Sequence, residues 1–216
     1  MTVSKHSADK TVFFSVAEEL MPGMVEEMRD ICRDAWAQAL LSGCNGNASR
    51  RLPAPHEGVA CLTCTRAAKG RLAPQNCCLV DIENAAPLYG GPASTESAMH
   101  LAIYRAKPQC GAILHTHPRR LLALSLRLEK EDDGLEDFLR LPLFEADVWR
   151  ARLGFAPALP PGTVELADAV ARASLDHPAV WMAGHGLCST GASLAEALCL
   201  TEELEHLAAI QLLSIR

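Results

Sequence analysis

The segment at residues 108–118 (PQCGAILHTHP) constrains the chain most, because it joins a short apolar run to two closely spaced histidines. Residues 110–114 are apolar and lie between two prolines, which predicts a buried β-strand. Side chains alternate along a strand, so His115 and His117 project from one face while Thr116 points away. Two neutral imidazoles placed in this way can bind a metal such as zinc, but an H-x-H pair also occurs where a strand simply leaves the core.

Composition places the chain among ordinary soluble globular proteins. Of its 216 residues, 49% are apolar and 21% are charged, and a chain of this length can bury a core without disulfides. A net charge of -6 and the lack of a Lys/Arg cluster give no reason to expect a nucleic-acid or anionic membrane partner. We also expect no signal peptide and no membrane-spanning segment.

The nine cysteines raise the question of a structural metal or a disulfide framework. They include Cys61-x-x-Cys64 and the neighbours Cys77 and Cys78, but no second pair has zinc-finger spacing. Apolar neighbours favour buried thiols that behave as small hydrophobic side chains. We therefore expect reduced cysteines and a cytoplasmic location.

The order of elements predicts one α/β domain over residues 1–216 with a central sheet. Helices are predicted at 22–41, 94–107, 119–130, 164–175 and from 193 to the end, the last opened by the capping box Ser193-x-x-Glu196. Strands are predicted at 58–63, 77–82, 110–114 and 180–182. Residues 1–10 are expected to be loosely ordered, 129–133 to form an acidic exposed turn, and 141–161 to be loop with short elements. No repeat or linker divides the chain.

A third histidine, His185, lies between two glycines just after a predicted strand. A lone G-H-G is more typical of a tight turn, but three histidines from two strand ends match a catalytic zinc that keeps one position open. His100 is expected to be a buried imidazole that supports a site rather than a ligand. Solvated or capping roles are expected for the remaining histidines, which are His6, His56, His177 and His206.

Glu96 opens a predicted helix a short way before the histidine strand. Its carboxylate could act as a general base or metal ligand, and it also suits the positive end of the helix dipole. The hydroxyls of Ser94 and Thr95, with the free N–H groups of the same helix, can form an anion cradle. Asn47, in a glycine-flanked turn, could add a donor to that cradle.

The ordered set of motifs resembles the class II aldolase/adducin family, and especially its small microbial members of the L-fuculose-phosphate aldolase type. The motifs cover most of the chain: they are Gly46-Asn47-x-Ser49-x-Arg51, residues 63–72, Ser94-Thr95-Glu96, HLAIYRAKP at 100–108, His115-Thr116-His117 and Gly184-His185-Gly186-Leu187.

The resemblance implies a three-layer α/β/α domain around a mostly antiparallel, nine-stranded sheet, in a homotetramer with active sites at subunit interfaces. It implies that His115, His117 and His185 bind Zn²⁺ or another divalent metal, and that Glu96 is the acid/base residue. It also implies phosphate binding by a set of six residues: Asn47, Thr63, Thr65, Arg66, Ser94 and Thr95.

The implied reaction is cleavage of a phosphorylated ketose to dihydroxyacetone phosphate and an aldehyde through a metal-stabilised enediolate. Arg66 stands where the family usually has glycine, so its side chain either contacts the anion or fills the pocket. Neither Tyr89 nor Tyr104 matches the tyrosines of the fuculose-phosphate enzyme, so the proton donor stays unassigned.

Two other functions fit the same motifs. One keeps the metal and Glu96 but changes the reaction, to dehydration as in methylthioribulose-phosphate dehydratases or to decarboxylation of a keto acid. The other is a non-catalytic, adducin-like binding module. Retention of three histidines and Glu96 argues against the module, because a scaffold has no physical need for an open metal site.

Overall fold

The computed structural model describes residues 10–128 and 136–215 and contains six helices and eight strands there. The helices are α1 Lys10–Ala37, α2 Ser97–Ala106, α3 Arg119–Leu128, α4 Phe144–Arg150, α5 Val164–Asp176 and α6 Leu194–Ser214. The strands are β1 Asn47–Arg51, β2 Val59–Thr63, β3 Cys77–Asp81, β4 Pro87–Tyr89, β5 Ala112–Thr116, β6 Leu153–Ala156, β7 Ala179–Met182 and β8 Gly186–Gly191. Two short 3₁₀ turns, Lys69–Arg71 and Pro74–Asn76, follow β2.

All eight strands join one sheet in the order β4-β3-β2-β1-β5-β8-β7-β6. Every neighbouring pair is antiparallel except β6 with β7, which are parallel. The expectation of an α/β fold with a mostly antiparallel central sheet is therefore confirmed. The described residues form eight strands rather than the nine that the resemblance implied.

Helices cover both faces of this sheet. On β5, Leu114 packs into a core with α1 and α6, while its neighbour Ile113 packs into a second core with α2 and α5. A third core joins α3 and α6 to β7, where Trp181 is buried. Because side chains alternate along each strand, apolar side chains reach both faces of the sheet. Helices pack on each face, which gives the α/β/α arrangement.

Helix ends depart from the sequence predictions most clearly at α1 and α2, and α1 ends at Ala37 rather than at residue 41. Helix α1 begins at Lys10 and carries Pro22 inside it, although proline usually marks the first turn of a helix. Helix α2 begins only at Ser97, because Ser94 Oγ accepts the N–H of Glu96 at 3.3 Å in a turn before the helix. The predicted cap of α6 is confirmed, since Ser193 Oγ accepts from the N–H three residues on.

The other predictions have mixed outcomes. Residues 141–161 contain α4 and β6 as the short elements of that stretch. All nine cysteines are free thiols, and seven of them are buried. Within the described ranges, none of the helices combines the length and apolar character that a bilayer crossing requires. The acidic turn at 129–133 and the loose segment at 1–9 lie outside the described residues.

Candidate functional site

The register of β1, β5 and β8 brings distant parts of the chain to one edge of the sheet. Asn47 on β1 is paired with His115 on β5, and Thr116 is paired with Leu187 on β8. The turn that precedes β8 carries His185, whose N–H bonds the carbonyl of Met182 at 3.0 Å. Pairings between strands that are far apart in sequence therefore assemble the site.

Gly46 is required where β1 meets β5. Its φ is +70°, and a Cβ there would lie 2.5 Å from the carbonyl oxygen of His115. A side chain at this position would force apart the two strands that carry Asn47 and His115. The glycine before Asn47 is thus explained by close backbone approach.

The three predicted histidines converge as expected. Ring centroids of His115 lie 4.8 Å from those of both His117 and His185, and the last two are 5.2 Å apart. One nitrogen from each ring lies within 4.8 Å of the others. His115 is fully buried, and the other two rings are partly buried beside a cavity. The prediction that both imidazoles of the H-x-H pair face the same side is confirmed.

The orientation of these rings suits a cation. His115 donates its Nδ1–H to the carbonyl of Leu187 at 3.0 Å, which directs its Nε2 toward the other rings. That Nε2 faces His117 Nε2 at 3.0 Å. Burial and the neighbouring His115 and His185 lower the pKa of His117 to about 3, which keeps its ring neutral. Imidazole nitrogens that face one another in this way are a donor set that fits a divalent metal.

Glu96 completes this cluster. Its Oε2 lies 3.3 Å from His115 Nε2, and its Oε1 lies 3.1 Å from His185 Nε2. Burial alone would raise the pKa of the Glu96 carboxyl, but the adjacent His115 and His185 rings outweigh it and hold the pKa well below its usual range. His185 Nδ1 is buried and has no hydrogen-bond partner among the described residues. A metal ion would satisfy nitrogen and oxygen atoms that now face one another.

A cavity of about 310 Å³ opens beside the cluster. Most of the predicted anion-binding residues line it, together with residues that the sequence analysis did not select. The lining residues are Cys44, Asn45, Gly46, Asn47, Cys64, Thr65, Arg66, Lys69, Ser94, Thr95, Glu96, His117, Pro161 and His185. The side chain of Arg66 is exposed and its φ is +57°, so this arginine occupies the left-handed backbone region that usually favours glycine.

Thr63 is the predicted site residue that the structure does not bring to the cavity. Its side chain is fully buried in β2, and its hydroxyl accepts the N–H of Ala48 at 3.2 Å. The hydroxyl therefore bonds the backbone of β1 within the sheet. The prediction that Thr63 binds phosphate is corrected to a role in pairing the two strands.

Lys69 is the residue that the sequence analysis missed. Its side chain is only 1% exposed, and its Nζ donates to the carbonyls of Ala67 at 2.7 Å and Cys44 at 3.2 Å. No ion pair links Lys69 to a carboxylate anywhere in the described ranges. Burial lowers the pKa of this lysine. The feature of the sequence that could have indicated a role at the site is the position of Lys69 in a polar turn, three residues after Arg66.

The remaining histidines lie away from the cavity. His100 is fully buried, with Nδ1 2.7 Å from Ser49 Oγ and Nε2 2.5 Å from Asn47 Oδ1, as expected for a supporting imidazole. His56 lies in a turn, His177 ends α5, and His206 is on the exposed side of α6. His6 lies outside the described residues.

With this geometry established, comparison with known proteins identifies the family. Residues 26–212 match the model of the Class II Aldolase and Adducin N-terminal domain. The chain belongs to the class II aldolase and adducin family. A solved structure described as a sugar-phosphate aldolase from Thermotoga maritima superposes with a TM-score of 0.77 at 25% identity, covering 89% of this chain and 94% of that one. The fold is therefore the class II aldolase fold.

The curated relatives match this chain over most of their own length, but their names describe different reactions. An L-fuculose phosphate aldolase of Methanococcus vannielii is 31% identical, covering 85% of this chain and 93% of its own. A 3-oxo-tetronate 4-phosphate decarboxylase of Haemophilus influenzae is 32% identical, covering 85% and 84%. A methylthioribulose-1-phosphate dehydratase of Xanthomonas euvesicatoria is 30% identical, covering 92% and 91%. These relatives are lyases, and the family is metal-dependent.

Proposed function

We propose that this chain is a metal-dependent lyase that cleaves a phosphorylated ketose of the fuculose-phosphate type to dihydroxyacetone phosphate and an aldehyde. The observation that carries the proposal is the convergence of three histidines and Glu96 beside a cavity that Arg66 and Lys69 also line. The histidine cluster suits a metal ion, and the two cations suit an anion. A sugar phosphate has a carbonyl group and a phosphate that match these two features.

His115, His117 and His185 would hold the metal, which is zinc or a comparable divalent ion. When bound, the ion supplies a Lewis acid for the oxygen of the substrate's carbonyl group. Leu187 supports this role, because its carbonyl accepts the His115 Nδ1–H and fixes the ring that faces the site.

Glu96 is the residue that moves a proton. Its side chain lines the cavity, and a carboxylate at this position can accept a proton from a bound substrate. A base at this point can take a proton from the substrate and return it to the carbon left by bond cleavage. Asn47 donates to Glu96 Oε2 at 2.8 Å and thereby limits the directions in which the carboxylate can turn.

The anionic group of the substrate would bind at the turn after β2. Thr65 and Arg66 come from this turn, and Ser94 and Thr95 face it from the loop before α2. Lys69 adds a second positive charge that no carboxylate neutralises within the described residues. Charge-assisted hydrogen bonds to phosphate are stronger than those between neutral groups, so two cations favour a phosphorylated substrate.

Decarboxylation of a phosphorylated keto acid is the second candidate, and the similarity to a decarboxylase favours it. Aldol cleavage takes one proton from a hydroxyl group and delivers one to carbon, and an ionised Glu96 can do both in turn. Decarboxylation delivers one proton to carbon, which solvent water would supply. Glu96 is the only carboxylate lining the cavity in the described part of the chain, and no tyrosine joins it there. The similar identities to an aldolase and a decarboxylase keep both reactions open. Dehydration is the third, through the similarity to a dehydratase.

A substrate panel tests the reaction. Metal-loaded protein is incubated with ketose phosphates and with phosphorylated 3-oxo acids, and the products are identified by mass spectrometry. Aldehyde with dihydroxyacetone phosphate supports the aldolase, carbon dioxide supports the decarboxylase, and loss of water supports the dehydratase. Glu96→Gln should keep the metal and lose most turnover. Turnover equal to wild type in this variant would remove Glu96 from the reaction.

The alternative of a non-catalytic, adducin-like module is tested by metal analysis. A scaffold should purify without a divalent ion and keep its full stability in chelator.

We also propose one domain, a cytoplasmic location and a homotetramer with sites at subunit interfaces. The free thiols support a reducing compartment, and the exposed apolar side chains of Phe144 and Leu213 support self-association. Sedimentation velocity measures the assembly directly.

A further inference from the structure

A chain of four hydrogen bonds runs from the interior of the protein to Glu96. Tyr104 Oη lies 2.8 Å from Ser49 Oγ, which lies 2.7 Å from His100 Nδ1. His100 Nε2 lies 2.5 Å from Asn47 Oδ1, and Asn47 Nδ2 lies 2.8 Å from Glu96 Oε2. The four residues behind Glu96 are buried. The chain therefore links a core phenol to the carboxylate beside the histidine cluster.

The donor of every bond in this chain can be assigned. A carboxylate only accepts, so Asn47 turns its Nδ2 toward Glu96 and its Oδ1 toward His100. Oδ1 also only accepts, so His100 carries its proton on Nε2 and accepts at Nδ1. Ser49 must then donate to Nδ1, and Tyr104 must donate to Ser49. The buried His100 ring is neutral, so only one of its nitrogens donates.

The opposite arrangement places two acceptors against each other. If the Asn47 amide turned over, its oxygen would face the Glu96 carboxylate, and its nitrogen would face the Nε2–H of His100. Both contacts would then be repulsive. The hydroxyl of Ser49 supports the observed arrangement, because it donates to His100 Nδ1 while it accepts from Tyr104, so both nitrogens of the buried ring are bonded.

Packing alone gives no reason for these polar groups. They lie between β1 and α2, next to a core that is otherwise built from apolar side chains such as Leu101 and Ile103. Buried polar groups are retained at a cost in stability unless all their bonds are made. Here the bonds are all made, and they end at a functional carboxylate.

We propose that His100 and Ser49 are positioning residues that hold the amide of Asn47 in one orientation and thereby aim the carboxylate of Glu96. This inference rests on the proposed role of Glu96 as the acid/base residue. It adds that His100 and Ser49, which lie two and three hydrogen bonds away from the Glu96 carboxylate, control the rate of turnover.

Ser49→Ala is the test variant, because it removes the donor to His100 Nδ1 and leaves that buried nitrogen without its partner in the chain. Ser189→Ala is a matched control: Ser189 is also a buried serine on the same sheet, and its hydroxyl bonds that of Thr201 at 2.8 Å. We expect kcat of Ser49→Ala to fall roughly 10- to 100-fold, with KM and metal content near wild type. Ser189→Ala should keep kcat. Ser49→Thr, which retains the hydroxyl, should recover most of the lost kcat.

Two results with an active wild-type protein would overturn the inference. One is equal kcat in Ser49→Ala and Ser189→Ala, and the other is loss of metal in Ser49→Ala, which would assign the chain to metal binding. Nitrogen NMR of the imidazoles decides the matter separately from turnover. We expect His100 to carry its proton on Nε2 in wild-type protein. An Nδ1–H tautomer of His100 in wild-type protein refutes the hydrogen-bond chain even if no substrate is found. A wild-type protein that is inactive but has the expected tautomer overturns only the proposed function.

Discussion

The two glycines that flank His185 should respond differently to a single added methyl group. A Cβ on Gly186 would lie 2.4 Å from the carbonyl oxygen of Thr116 and 3.3 Å from His115 Cε1. Carbon–oxygen contacts of this kind are usually about 3.3–3.6 Å, so β5 and β8 must separate by roughly 1 Å in Gly186→Ala. Both strands adjoin histidines that we propose to bind the metal, and the separation changes the distance between His115 and His185.

The size of the effect follows from this displacement. Overpacking of a well-packed site costs about 1–3 kcal/mol of unfolding free energy. Metal–ligand distances tolerate only about 0.2 Å, so a movement of roughly 1 Å is well outside the range. We therefore expect Gly186→Ala to lower metal affinity by at least about 10-fold, in addition to its loss of stability.

Gly184→Ala is the matched control on the other side of His185. Gly184 has a φ of +68° and no atom within 4 Å of an added Cβ, so the variant has backbone strain without a clash. Its unfolding free energy should fall by about 1–2 kcal/mol while metal affinity stays near wild type. Urea unfolding and zinc competition with a chromophoric chelator measure the two quantities. Equal metal affinity in the two variants would refute the reasoning from close strand packing.

Three further predictions concern other parts of the molecule. Lys69→Met should raise KM for a phosphorylated substrate roughly 10-fold in steady-state kinetics, because it removes a buried charge from the cavity, and an unchanged KM would place the anion elsewhere. Burial, helped by the nearby His115, lowers the pKa of His100 from 6.5 to about 3, so only the unfolded chain takes up this proton as pH falls through that window. Unfolding free energy should then fall below pH 6.5 by up to about 1.4 kcal/mol per unit, and urea titrations of His100→Gln should lack that part of the slope. Ser193→Ala should lower unfolding free energy by about 1 kcal/mol through loss of the α6 cap, and a loss below a few tenths in urea titrations would contradict this.

Local sequence patterns predicted the parts of the site that depend on local geometry. The period of two along a strand placed His115 and His117 on one side, and the alternation of apolar runs predicted the central sheet. The convergence of His185 on that pair depends on the register between β5 and β8. The order of the three histidines in the sequence suggested that they come together. The distances between their rings are known only from the folded chain.

The misses have local physical causes. Thr63 and Thr65 are two residues apart, and the predicted end of the strand at residue 63 agrees with the end of β2. The sequence did not indicate that the Thr63 hydroxyl bonds within the sheet while Thr65 lines the cavity. Lys69 lies in a 3₁₀ turn, whose side-chain directions do not follow the period of a strand or an α-helix. Long charged side chains are usually exposed, so nothing in the pattern marked this lysine as buried.

Metal content of purified protein tests the central claim that three histidines hold one cation. The comparison uses wild type, His117→Ala, and His206→Ala as a control for a histidine on the exposed side of α6. Elemental analysis should find one divalent ion per chain in wild type and in His206→Ala, and far less in His117→Ala. A full complement of metal in His117→Ala, or none in wild type after incubation with zinc, would contradict the account.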